Sequence, residues 1–347
     1  MGKRFSYDPN DFVGKGHTGL ANLGNTCFMN STIQCISHSY EFTQLLKNKK
    51  ESTYNNNKEA LILSEWNKLR DLMWSENCTI SPGGFLGAVH KLAKHKKKQI
   101  FTGFAQNDLP EFLLFLLDCF HEGLKREVTM KVNGNAENAK DELAVKCYGM
   151  MKNMYEKEYS EIVSLFYGIH VSQILDVSGV ALSSSPEPFF MLNLPIPEKR
   201  ATCSIEDCFD LYTETERLDG DNQWYNEKTD EKQDVDKKIS FFSLPELLVV
   251  DFKRFTHRLR KNNMLISFPL EGLDLSKYVV GYDRLSYKYD LYGVCNHSGS
   301  TMGGHYTAFV KSADGSWRHY NDRSVQQIPK EKIVSPKAYC LFYRKKK

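Results

Sequence analysis

The sequence has no C-x-x-C pair anywhere in its 347 residues. That removes the paired thiolates on which the common structural zinc sites depend. It also has no run approaching the roughly 18–20 apolar residues of a membrane-spanning helix, so no bilayer span is expected. Neither sign of charge is in excess. The 46 Lys and Arg against 43 Asp and Glu leave only +3, too little for the basic footprint of a nucleic-acid-binding protein. No internal repeat and no long low-complexity linker is present. The opening Met1-Gly2-Lys3-Arg4-Phe5-Ser6 is polar and basic without an apolar stretch, so no secretory leader is expected. The nine cysteines are an odd set. Together these absences point to free thiols in a reducing compartment, cytoplasmic or nuclear, rather than a disulfide framework.

What is present is enough apolar and aromatic residue, 41% and 12% of the chain, to build a sizeable core. The first third reads as helical. Residues 26–46, 59–74 and 108–124 carry apolar positions at helix-like spacing, and 47–58 is a polar, Asn-rich loop. After about residue 162 the texture turns to short β-rich runs at 169–182, 189–194, 247–252, 289–294, 306–310 and 339–343. Residues 201–240 hold twelve acidic against five basic side chains. That fits a solvated extension or a surface for a basic partner. A helical lobe followed by a mostly antiparallel β lobe makes the chain α+β. Gly2 fits a lipidation pattern, and Asn30, Asn77 and Asn296 open N-x-[ST] sequons. Both patterns are short enough to arise by chance.

Cys27 closes a Gly/Asn-rich loop, Gly19-Leu20-Ala21-Asn22-Leu23-Gly24-Asn25-Thr26, and opens an apolar-periodic stretch. A thiol at a helix start meets unpaired backbone N–H groups and the positive end of the dipole, which favours thiolate. Asn22 is placed to offer a side-chain N–H to a developing oxyanion. A buried packing cysteine would sit equally well there. A nucleophilic thiol needs a histidine near it in space. His305 follows Gly303-Gly304 and opens a strand. Asp314-Gly315 then marks a hairpin turn, and the returning strand ends on Asn321 and Asp322. Either of these two can accept from the ring N–H of His305 and fix its tautomer. His297 and His319 lack such a polar orienter across a turn.

The two segments together resemble the ubiquitin-specific protease family of deubiquitinating cysteine peptidases. GLANLGNTCFMNSTIQC is similar to that family's Cys box. NHSGSTMGGHYTAFVK, with WRHYNDRSV and AYCLFYR, is similar to its His box. Gln106-Asn107-Asp108-Leu109-Pro110-Glu111-Phe112-Leu113 resembles the QQDAxEFL segment. Leu244-Pro245 and Val250-Asp251-Phe252-Lys253-Arg254-Phe255 resemble LPxxLxxxLKRF. The resemblance runs in order from about Gly19 to Tyr343.

The resemblance implies a papain-like core with a helical thumb near 1–160, β fingers near 161–240 and a palm over 241–347. It implies Cys27 as nucleophile, His305 as general base, Asn321 as third residue where Asp is commoner, Asp322 as an assisting acid and Asn22 at the oxyanion. Asp108, Phe255, His297 and Tyr306 match positions that hold the ubiquitin tail, with Gly303 and Gly304 as a wall of its channel. Segments 256–264 and 296–304 match loops that gate it. The family's zinc cysteines would fall at Asp176, Gly179, Asn226 and Thr229, so no metal and no cofactor is expected. The implied substrates are ubiquitin and ubiquitinated proteins, cut after the terminal Gly-Gly through a thioester, and a monomer is expected. A ubiquitin-like-modifier protease and a ubiquitin-binding pseudoenzyme are the alternatives.

Overall fold

A computed structural model describes residues 5–49, 54–55, 57–198, 200–256, 260–300 and 303–346. Gly2 and parts of the 47–58, 256–264 and 296–304 loops lie outside the described residues. Eight α-helices are found among them: α1 (Cys27–Ser37), α2 (Tyr40–Asn48), α3 (Ala60–Ser75), α4 (Gly83–His95), α5 (Leu109–Leu124), α6 (Ala139–Glu158), α7 (Glu161–Phe166) and α8 (Ile205–Tyr212).

The apolar pattern over 26–46 suggested one helix, and the chain makes two. His38 N closes on Gln34 O at 3.3 Å and Ser39 N on Ile36 O at 3.1 Å. The Ser39 hydroxyl then pairs with Tyr292 OH at 2.7 Å. Tertiary hydrogen bonds replace the helical ladder at the break. All eleven residues of α1 are buried, polar ones included. Gln34 Nε2 donates to Thr18 O at 2.8 Å and Thr32 Oγ1 to Phe28 O at 2.9 Å. These bonds lower the cost of removing such groups from water. Around α1 the fully buried rings of Phe42, Trp66, Phe85, Phe112, Phe120 and Phe166 build one core. Each ring contributes roughly 1.5–3 kcal/mol by burial.

Helix α6 went unread in the sequence for a physical reason. It buries only Ala144 and Cys147, so no apolar stripe marks its period. Its start is set instead by Asn138, whose side chain accepts from Asp141 N.

The main sheet runs in the order Ser324–Ile328, Trp317–Asn321, Gly303–Lys311, Lys288–Ser300, Ala338–Lys345, Leu247–Phe252, Met191–Leu194, with Leu273–Asp274 flanking Lys288–Ser300. Every neighbour on the main path is antiparallel except the last pair. Helix α1 lies against one face, and Val249 and Phe342 point to it. The other face buries Leu248, Val250, Leu341 and Tyr343 with Phe209 of α8 and Phe241. Two covered faces explain why Leu247–Phe252 is buried at all six positions.

A second sheet joins Ala181–Phe189, Gly168–Leu175, Val235–Ser243 and Glu216–Leu218. The run read over 169–182 divides at the Asp176–Val180 turn, where Asp176 Oδ1 accepts from Ser178 N and Val180 N. The acidic 201–240 stretch is less of a free extension than its charge suggested. Its Ile205, Cys208 and Phe209 enter the core, and Ser204 with Asp207 forms a capping box for α8.

Candidate active site

The nucleophile loop is tied at its base. Gly19–Leu20 pairs in parallel with Thr79–Ile80, and Leu20 N donates to Asp322 O at 2.8 Å. The loop then passes through Gly24 at φ 101° and Asn25 at φ 56°, a left-handed pair that Gly and Asn tolerate. The Asn22 carbonyl gathers this turn. Its Oδ1 accepts from Gly24 N and Thr26 N, each at 3.1 Å. With that oxygen committed to donors, Nδ2 is free to donate, and one of its hydrogens goes to Asp322 Oδ2 at 3.0 Å. The second is available to a substrate oxygen.

Cys27 is the first residue of α1 and is 2% exposed. The N–H groups of Tyr306, Phe28 and Cys27 itself favour its thiolate, as the sequence led one to expect. Burial outweighs them, and the Asp322 carboxylate adds to it, so the thiol pKa is raised rather than lowered.

His305 stands on Gly303–Lys311, which turns at Asp314-Gly315 into Trp317–Asn321. Gly315 takes φ 82°, and Ser316 N donates to Asp314 Oδ1. The pairing stops at Ala308 opposite Tyr320. Just past that point His305 Nε2 meets Asn321 Oδ1 at 2.7 Å. The alternatives left open by sequence separate here. Asn321 orients the imidazole. Asp322, at φ 49°, turns the other way and holds Asn22 by one oxygen and Asn30 Nδ2 by the other, at 2.7 Å. Asn30, three residues after Cys27 on α1, was marked in the sequence only as a sequon residue, not as part of this site. His297 is buried, with its pKa pushed down to about 4 by that burial and by Lys261. His319 packs against Phe309.

Of the six residues that the resemblance assigns to the tail channel, Asp108, Tyr306, His297, Phe255 and Gly304 lie against one another. Tyr306 OH donates to Asp108 Oδ1 at 3.3 Å, joined by Tyr339 OH at 3.0 Å. The His297 ring lies 4.6 Å from Tyr306 and 5.7 Å from Phe255. A Cβ on Gly304 would stand 2.2 Å from His297 Nε2, so only glycine fits there. Gly303 lies next to Gln106. Asp108 begins α5. Packing around its carboxyl raises its pKa, and the two tyrosine hydroxyls pull it back. Lys261 donates to His297 O at 2.6 Å, joining the two channel loops. Tyr339 lies in AYCLFYR and Lys261 in the 256–264 segment, but neither carried a role of its own in the sequence, because their partners are distant in the chain.

The zinc positions of the resembled family do not fit a metal here. Asp176, Asn226 and Thr229 use their side chains in turns, Asn226 Oδ1 accepting from Lys228 N and Thr229 Oγ1 from Gln233, and Gly179 has none. His121, Glu122 and Glu158 lie close enough to share an ion. Lys125 already pairs with Glu122 at 2.9 Å and His121 Nδ1 with Ser160 Oγ at 2.8 Å. Of the three sequon asparagines, Asn30 and Asn296 are buried, and Asn77 bonds His17 N and Gly14 O. No helix among the described residues is long and apolar enough to cross a membrane.

Residues 18–343 match the family described as "Ubiquitin carboxyl-terminal hydrolase". The chain is 35% identical over 341 residues to ubiquitin carboxyl-terminal hydrolase 2 of Homo sapiens, covering 95% of this chain and 55% of that protein. It is 37% identical over 343 residues to ubiquitin carboxyl-terminal hydrolase 2 of Gallus gallus, covering 95% and 94%. The chain thus spans about half the length of the human relative. Among solved structures it is similar to the SAGA Ubp8/Sgf11/Sus1/Sgf73 DUB module bound to ubiquitin aldehyde. The TM-score is 0.74 at 25% identity, over 96% of this chain and 70% of that one. The mixed α+β architecture with a papain-like core is common to both.

Proposed function

The chain belongs to the ubiquitin carboxyl-terminal hydrolase family, and we propose that it cleaves the isopeptide or peptide bond after the C-terminal Gly-Gly of ubiquitin. The observation that carries this reading is the 2.7 Å contact between His305 Nε2 and Asn321 Oδ1, on the strand whose next residue, Tyr306, shares a buried cluster with Cys27. Asn321 Oδ1 accepts, so Nε2 carries the hydrogen and Nδ1 keeps its lone pair for the thiol.

His305 takes the proton of Cys27 as the sulfur attacks the terminal carbonyl carbon. The free N–H of Asn22 and the backbone N–H groups near Cys27 receive the oxyanion. His305 then gives the proton to the leaving lysine amine, and a thioester remains on Cys27. Water, deprotonated by His305, attacks the thioester and restores the thiol. Asp108 receives an arginine of the tail. Phe255, His297 and Tyr306 line the channel, and Gly303 and Gly304 keep it narrow. Residues 1–160 would serve as thumb, 161–240 as fingers and 241–347 as palm. We place the protein in a reducing compartment, cytoplasm or nucleus, acting as a monomer without nucleic acid.

Ubiquitin carrying a C-terminal electrophile should label Cys27, and Cys27→Ala should abolish hydrolysis of a ubiquitin–fluorophore while ubiquitin binding survives. Undiminished hydrolysis by Cys27→Ala would overturn the assignment. The intact Cys27, His305 and Asn22 disfavour a pseudoenzyme. Probes ending in ubiquitin-like modifiers, set in competition, decide between modifiers that share a Gly-Gly end.

A further inference from the structure

Gln106 lies in the loop ahead of α5, on the open side of Gly303–Lys311. Its carboxamide makes two hydrogen bonds to a single residue: Nε2 donates to Gly304 O, and Oε1 accepts from Gly304 N. This exchange of one N–H and one C=O with one residue opposite is what a hydrogen-bonded pair in an antiparallel sheet does. The side chain copies a peptide unit of an absent neighbouring strand. The pairing with Trp317–Asn321 covers Ala308–Lys311, so Gly304 lies beyond it, on the uncovered stretch.

The position is at the reacting end of the channel. Gly304 immediately precedes His305, and the next residue, Tyr306, shares a buried cluster with Cys27. The face of Gly304 where a side chain would project is filled by His297 Nε2 and by Ser298 O, 2.2 and 2.6 Å from a built Cβ. Only its backbone is offered to the channel, and Gln106, itself exposed, reaches it from the solvent side.

We propose that Gln106 is a specificity-determining placeholder for the substrate backbone, holding both peptide groups of Gly304 until an extended Gly-Gly tail brings its own N–H and C=O to them. This rests on the deubiquitinating reading above and adds a group that must leave before the tail docks. A flat glycine tail replaces the two bonds one for one. A tail with side chains at its last positions is held off Gly304, so it meets the clamp without being able to replace it. The displaced amide returns to water.

The test is made in the Cys27→Ala protein, with Gln106 intact, changed to Ala, or changed to Met. The last keeps the length of the side chain and removes both hydrogen bonds. Each is titrated with ubiquitin and with ubiquitin lacking its final Gly-Gly. Loss of the competing bonds should lower the Kd for intact ubiquitin by about three- to tenfold in both variants and leave that for the truncated form unchanged. Equal or weaker binding of intact ubiquitin, or the same gain with the truncated form, overturns the proposal. Failure of the deubiquitinating reading looks different: intact ubiquitin would not bind even with Gln106 in place, and this inference falls with it.

Discussion

Asn321 Oδ1 lies 2.7 Å from His305 Nε2, so a neutral carbonyl oxygen, not a carboxylate, orients the imidazole. Asn321→Ala frees the ring to rotate and to change tautomer. General-base assistance contributes about 10²–10⁴-fold, so kcat should fall by about 10²-fold or more with the Kd for ubiquitin little changed. Asn321→Asp keeps an acceptor there and should retain most of the rate. Steady-state hydrolysis of a ubiquitin–fluorophore measures both. Wild-type rates from Asn321→Ala would remove this residue from the mechanism.

Asp322 does two things that pull against each other. It holds the Asn22 amide at 3.0 Å, and its charge helps to keep the Cys27 thiol protonated. Asp322→Asn should therefore move two readouts in opposite directions. Alkylation of Cys27 by iodoacetamide at neutral pH should speed up as the thiol pKa falls. Ubiquitin hydrolysis should slow, by up to the 10²–10³-fold that losing one oxyanion donor costs, about 3–4 kcal/mol. Parallel changes in the two rates would contradict this division of labour.

His38 predicts a pH dependence of stability. It is 1% exposed, its Nδ1 bonds Gln34 O at 2.8 Å, and burial holds its pKa down to about 4. The unfolded chain has an ordinary histidine near 6.5. Between those values the unfolded state binds the extra proton, so stability is full above about pH 6.5 and is lost as pH falls toward about 4. The loss from this group should reach about 2 kcal/mol at pH 5. Denaturant unfolding from pH 7.5 to 5 should show at least that slope, and His38→Gln should reduce it by about 2 kcal/mol over the range, leaving the share of His297, whose pKa is also held down to about 4. An unchanged slope in the variant would exclude His38 as the source.

Cys27, His305 and the Asn321–Asp322 pair were legible because each sits in a run whose local pattern (loop into helix, strand, turn, returning strand) also fixes where its side chain goes. Which of Asn321 and Asp322 meets the imidazole was not, because it depends on the left-handed backbone at Asp322, which turns adjacent side chains to different partners. The sign of the Cys27 shift was missed for a related reason. The helix start is local, but the burial and the Asp322 charge come from the far end of the chain. Gln106 stood in a recognised segment without a role, since its partner Gly304 meets it only in the fold. Helix α6 was hidden because it buries too little to show a period, and the break at His38–Ser39 because tertiary hydrogen bonds decide it.

Helix α1 is enclosed on every side, and Cys27, the proposed nucleophile, is its first residue. A segment with no solvent-facing residue has no cheap local opening, so its amides exchange with deuterium only when the whole domain opens. The sulfur is thereby registered to the fold with the full free energy of unfolding behind it. The groups that approach it from exposed loops belong to the low end of that scale. On the proposed mechanism, motion during turnover then falls to the channel side chains, while the attacking atom is a fixed point to which the substrate must come.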